Sequence, residues 1–154
     1  AESLFTMLMT KKPGNFAEQI VYEDDKVMVF LDKFPQVPGH TLVVPKEAVE
    51  KVHQMSPESA AAVGMALAKV AAKVVEATGK DNYNIIVNNG KESGQEVPHV
   101  HYHIVPRVAG DYSKSWAKSI EDTRDASTNP KQDKLPDEGE FTGALAEMRN
   151  KIRS

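Results

Sequence analysis

The sequence predicts an α+β domain, an antiparallel sheet of about five strands with helices laid against it. Three observations predict it. Five short runs read as strands, at 20–22, Val27–Leu31, Thr41–Pro45, Tyr83–Val87 and 99–105. One long helical stripe, Pro57–Thr78, separates the third run from the fourth. A Gly- and Asn-rich turn at 88–95 then joins the last two runs into a hairpin.

Near the start, Ser3 precedes Leu4, Phe5, Leu8 and Met9 and is placed to cap a short amphipathic helix that covers one edge of the core. Lys11-Lys12-Pro13-Gly14-Asn15 is a turn. Residues 20–22 form a short strand, and Glu23-Asp24-Asp25 is the hairpin connection to Val27–Leu31. That second run is almost wholly apolar, as a buried central strand is. Pro35 and Pro38-Gly39 make a bend, His40 opens the strand Thr41–Pro45, and Pro45 ends it because proline cannot extend the ladder. Val49, Val52, His53 and Met55 fit one or two helical turns, with no role assigned to His53.

Ser56-Pro57-Glu58 is a helix start with an N-cap serine, a proline at the first position and an acid in the first turn. Gly79 is the matching stop. Val63, Leu67, Val70 and Val74 form the core stripe, and the many alanines let the helix approach a sheet closely. Met65 is filler. After Arg107 the composition shifts. Residues 110–140 are polar, carry Pro130 and Pro136, and read as a surface arm with short helices around 115–120. Trp116, the single tryptophan, anchors that arm on the core or else contacts substrate. Phe141, Leu145, Met148 and Ile152 make a final amphipathic helix. The whole is one domain, 1–154, with a core at 1–109 and a C-terminal extension at 110–154.

The chain has 154 residues, 40% of them hydrophobic, enough for a real core. A net charge of −3, with both signs dispersed, gives no footprint for nucleic acid. There is no apolar run of spanning length and no signal-peptide pattern, so no membrane partner is expected. The expected location is the cytoplasm, with the nucleus not distinguished from it. Cysteine is absent, which excludes disulfides and thiolate metal sites.

The chemistry concentrates in 94–107, where three of the five histidines, His99, His101 and His103, stand at alternate positions. On a strand they share one face as a row about 6–7 Å apart, with Val100, Tyr102 and Ile104 on the other. Such a row binds a metal, shuttles protons, binds an anion or attacks an electrophile. Glu96 is the carboxylate that a two-histidine iron site would want. Against a metal stands the upstream loop 88–95, which exposes backbone N–H groups suited to phosphate.

The run from Asn88 to Arg107, with Gly94-Gln95, Val97, His99, His101, His103, Ile104, Pro106 and Arg107 at their spacings, resembles the histidine-triad (HIT) nucleotide hydrolases and transferases. A second block agrees in order: Tyr22-Glu23-Asp24-Asp25, then Phe30-Leu31-Asp32, then Pro38-Gly39-His40 through Pro45-Lys46. The resemblance covers roughly residues 1–110. It implies His101 as nucleophile on an α-phosphate, with His99, His103 and His40 around it. It implies a nucleotide held by Phe30, Asp32, Lys33, Asn88, Gly94, Gln95, Glu96 and Val97, with Asp32 on the ribose hydroxyls. Alone, Asp32 reads as a strand-end turn residue. Many members hold a structural zinc with a C-x-x-C pair and a later histidine; Ser3, Thr6 and Ala48 stand at those places here, so no metal and no cofactor are expected. Many members also have Ser or Thr where this chain has Glu96: either Glu96 points away and its backbone N–H does the work, or its carboxylate reads the leaving group, and a basic amine would suit it.

The resemblance therefore implies hydrolysis of adenosine 5′-phosphoramidates or related AMP conjugates through a covalent nucleotidyl-histidine, in a homodimer with a purine nucleotide substrate. Two other functions remain open at this point: a dinucleoside polyphosphate hydrolase, and a nucleotide-binding module without turnover.

Overall fold

The computed structural model describes residues 3–14, 16–33, 35, 37–110 and 143–153. They form α1 (Leu4–Lys11), β1 (Ile20–Glu23), β2 (Val27–Leu31), β3 (Thr41–Pro45), α2 (Pro57–Thr78), β4 (Tyr83–Val87), β5 (Tyr102–Pro106) and α3 (Gly143–Arg153). The arm at 111–142, with Trp116, the short helices around 115–120 and Phe141, lies outside the described residues. The five strands make one antiparallel sheet in the order β1-β2-β3-β5-β4. The class is α+β, as the sequence predicts.

Local chemistry explains most boundaries. The Ser3 side chain accepts from the Thr6 N–H and caps α1, and Lys12 ends that helix in the left-handed region. Asp24 Oδ1 accepts from the N–H groups of Lys26 and Val27, both at 2.8 Å, and closes the β1–β2 turn. Ser56 caps α2, Pro57 starts it and Gly79 ends it at φ 70°.

The sheet buries two faces. Val27, Val29, Leu31, Val43 and Ile104 meet the α2 stripe of Val63, Val70 and Val74, with Ile152 of α3 joining them. Leu67 of the predicted stripe is only partly buried there. On the opposite face Met28, Phe30, Leu42 and Val44 pack against Phe5 and Leu8 of α1 and against Phe16. Phe16 is fully buried, its ring 4.9 Å from Phe30. Arg149 of α3 donates to the Glu18 carbonyl and Arg153 to the Ile20 carbonyl, fastening α3 beside β1.

One expectation needs correction. The three histidines do not lie on one strand: β5 begins at Tyr102, so only His103 is a strand residue. The last β3 partner is Val43, opposite Tyr102. Beyond it the chain bends, because the His99 N–H turns back to the Val97 carbonyl at 2.8 Å and the Val100 N–H goes to Val49 at 2.8 Å. Among the described residues, no helix is long and apolar enough to cross a membrane.

Candidate active site

The four predicted catalytic histidines meet on the α1 side of the sheet, all 3% exposed or less. His103 follows from register: it lies opposite Leu42 on β3, so its side chain takes the face that Phe30 and Leu42 share. His40 stands just before β3. The Asp32 N–H donates to the His40 carbonyl at 3.0 Å, which closes the β2–β3 connection and brings Asp32 beside His40.

A relay results. Asp32 Oδ2 lies 3.7 Å from His40 Nδ1, an ion-pair distance rather than a hydrogen bond. His40 Nε2 and His103 Nδ1 are 2.9 Å apart, a hydrogen bond in which one ring nitrogen donates to the other. The His101 and His103 ring centres are 5.2 Å apart and nearly perpendicular. His101 Nδ1 is 2.8 Å from the His99 carbonyl. A carbonyl only accepts, so His101 Nδ1 carries a proton, and in the neutral ring the in-plane lone pair lies on Nε2.

His99 plays a different part. Its Nε2 is 2.8 Å from the Pro45 carbonyl, so that nitrogen donates and Nδ1 accepts in the neutral ring. Ser3 Oγ at 2.9 Å and Thr6 Oγ1 at 3.3 Å converge on Nδ1. The Phe5 ring, between those two positions in sequence, packs 6.0 Å from His99 and 4.8 Å from His101. Burial pushes the His99 imidazole below its ordinary 6.5, and the bond to Pro45 opposes that only in part. Below about pH 6.5 the unfolded chain takes up a proton that folded His99 refuses, so this residue's contribution to stability is present above 6.5 and lost as the pH falls. An NMR titration is expected to give His99 an apparent pKa under 6.5; a value at or above it would contradict the burial argument.

These donors also bear on the structural metal that many members of the resembled family hold and that is not expected here. Zinc prefers thiolate and imidazole ligands. Here two neutral hydroxyls stand in place of thiolates, and both are engaged with the nitrogen that would face the ion. The residues do not fit that metal. Among the described residues, no group of three or more His, Cys, Asp or Glu could hold a metal ion.

The predicted nucleotide contacts fall into two groups. Gly94, Gln95 and Glu96 belong to the loop after β4, which turns through a short 3-10 segment at Lys91–Ser93 and Gly94 at φ 96°. Both ends of the Gln95 amide clasp this loop: Oε1 accepts from the Gly90 N–H at 2.6 Å and Nε2 donates to the Glu50 carbonyl at 2.8 Å. The Asn89 side chain accepts from the Val52 N–H, tying the same loop to the segment after β3. Asn88 is half-buried at the end of β4, and Glu96 is exposed. Phe30, Asp32 and Lys33 are buried, and Val97 packs on the cluster of Phe5 and Phe30. Sequence reasoning gave no role to Phe5 or to the carbonyls of Pro45 and Glu50. The signal within reach was the Ser3–Thr6 spacing, which the resemblance matched to a cysteine pair and not to the triad.

Comparison with known proteins agrees with this geometry. The HIT domain matches residues 14–110. The chain is 45% identical over 98 residues to a HIT-like protein of Methanocaldococcus jannaschii, covering 64% of this chain and 75% of that one. It is 45% identical over 85 residues to the adenosine 5′-monophosphoramidase of Schizosaccharomyces pombe, 55% of this chain and 61% of the relative. It is 36% identical over 106 residues to the purine nucleoside phosphoramidase of Escherichia coli K12, 68% of this chain and 86% of the relative. A crystal structure of a HIT-like protein from Bartonella henselae superposes with a TM-score of 0.71 at 29% identity, over 99% of this chain and 95% of that one. The matched residues run from before β1 to the end of β5 and contain every histidine of the relay, and the chain belongs to the HIT (histidine-triad) domain family.

Proposed function

We propose that the chain is a nucleotidyl hydrolase that splits adenosine 5′-phosphoramidates and related AMP conjugates through a covalent intermediate on His101. The observation that carries the reading is the His101 Nδ1–H bond to the His99 carbonyl, which commits Nε2 as the attacking nitrogen. In the first step the Nε2 lone pair forms a bond to the α-phosphorus, and the bond to the leaving group breaks. The leaving amine takes a proton from the His103–His40 pair. In the second step water attacks the same phosphorus, gives its proton to that pair, and the P–Nε2 bond breaks to release AMP. Asp32 beside His40 stabilises the protonated pair before the first step and again after the second. The loop at 88–96 receives the phosphoryl oxygens through N–H groups other than those of Gly90, Ser93, Gly94 and Gln95, which bond within the loop itself.

Glu96 favours an amine over a phosphate as leaving group. It is exposed, three residues before His99, and an ionised carboxylate repels phosphate but attracts a cationic amine. Two relatives named as phosphoramidases support the same branch. The edge strand β4 supports a homodimer: Tyr83 and Ile85 are 41% and 43% exposed on its outer face, and pairing of two such edges would join the sheets.

The test is a turnover assay with chelator present, giving purified protein an adenosine 5′-phosphoramidate and, separately, diadenosine polyphosphates. Turnover that survives chelation and prefers the phosphoramidate is expected, from a particle that light scattering weighs as two chains. No turnover of either substrate, or turnover only with added metal, would overturn the reading.

A further inference from the structure

We propose that the hydroxyls of Ser3 and Thr6 are a positioning device for the nucleophile, acting through the ring and main chain of His99. The inference rests on the assignment of His101 as nucleophile. Pro45 O accepts from His99 Nε2–H, so Nδ1 of that buried neutral ring must find a donor. Ser3 Oγ already accepts the Thr6 N–H, and its single proton goes to Nδ1 at 2.9 Å. Thr6 Oγ1, 3.2 Å from Ser3 Oγ and 3.3 Å from Nδ1, supplies a second hydroxyl at the same point.

The Pro45 carbonyl selects the tautomer, and these donors complete it. Without them Nδ1 is a buried acceptor with no partner, and the ring gains by turning to find one. The ring then swings, and the bend at 97–101 moves with it, because His99 is held there by its N–H to Val97. The carbonyl of that same residue holds His101 Nδ1–H at 2.8 Å. Two hydroxyls on α1, 93 and 96 residues away in sequence, therefore fix the direction from which His101 Nε2 attacks. The Phe5 ring against both imidazoles transmits the same placement by packing.

Capping α1 and donating to His99 are separable roles of Ser3, and the test separates them. Asp is as good an N-cap as Ser, but its carboxylate only accepts. Ser3→Asp keeps the helix and removes the donor. Thr6→Val keeps the shape and removes the other hydroxyl. In Ser3→Asp and in the Ser3→Asp/Thr6→Val pair, kcat is expected to fall roughly tenfold to a hundredfold, with KM changed by no more than about twofold, the pattern of a misplaced reacting group. Ser3→Thr, which restores the hydroxyl, is expected to recover most of the rate. Imidazole 15N shifts in the ligand-free protein are expected to show His99 protonated at Nε2 alone in the natural chain and at both nitrogens in Ser3→Asp, whose carboxylate accepts from Nδ1 while Pro45 accepts from Nε2. Full activity in Ser3→Asp, or unchanged His99 shifts in the double variant, would overturn the proposal. If the natural protein turned over no substrate, the nucleophile assignment would fail on that result, and the 15N shifts alone would still decide whether the hydroxyls hold His99 Nδ1 as an acceptor.

Discussion

His101→Ala is expected to abolish covalent turnover, a fall in kcat of at least about a thousandfold, or roughly 4 kcal/mol of transition-state stabilisation. The size follows from the role. A positioning or charge-stabilising residue leaves a slower version of the same path, whereas the nucleophile takes the path with it. Nucleotide affinity is expected to change little, since the proposed phosphate donors belong to the loop at 88–96. The intermediate gives a direct readout: natural protein quenched in alkaline denaturant, where a P–N bond survives, carries the mass of one nucleotidyl group, and the variant carries none. Because His101 is 3% exposed with Phe5 packed on its ring, truncation also opens a hole, and His101→Gln controls for that volume. Retention of more than about a tenth of the rate in both variants would assign the attack to another group.

Gly39→Ala is expected to destabilise the fold by about 2–5 kcal/mol, combining a strained backbone with overpacking. Gly39 sits at φ 92°, where a side chain is disfavoured. A Cβ there would lie 2.8 Å from Thr78 Cγ2 and 3.3 Å from Pro106 Cγ. Thr78 cannot simply rotate away, because its hydroxyl donates to the Val74 carbonyl and accepts from the Lys80 N–H. The next residue is His40, so any relief taken by the 37–40 turn is paid in relay geometry. Thr78→Ser removes the clashing methyl and keeps both hydrogen bonds. In a denaturant-melt double-mutant cycle it is expected to recover the steric share of the loss and leave the backbone share. Purely additive effects would show that Thr78 is not what Gly39 avoids.

Much of the frame was legible because its signals are local. Ser56, Pro57 and Gly79 set both ends of α2, the apolar run Val27–Leu31 gave the fully buried β2, and Asp24 marked the first hairpin. The relay was legible in membership but not in geometry. Alternation placed His99, His101 and His103 on one strand, yet alternation cannot report where pairing stops. Pairing stops at Tyr102 because Val97 and Val49 take the next N–H groups, contacts no local pattern encodes. Likewise the spacing that matches Ser3 and Thr6 to a cysteine pair does not tell what their hydroxyls do. That depended on a carbonyl at Pro45 occupying the other nitrogen of His99.

The strand order has a consequence for how the molecule comes together. β1, β2 and β3 are successive neighbours, and β4 and β5 pair as a hairpin, so each half can form from nearby residues. The halves join along one seam, from Thr41 opposite Ile104 to Val43 opposite Tyr102. Closing it brings together His40 and His103, 63 residues apart, and such distant closures are slow steps in folding. A chain with both halves formed but the seam open would hold all five strands and lack the His40–His103 contact. Secondary structure measured by far-ultraviolet dichroism would therefore report on such a chain as nearly native, while the appearance of activity would time the zipping of that single seam.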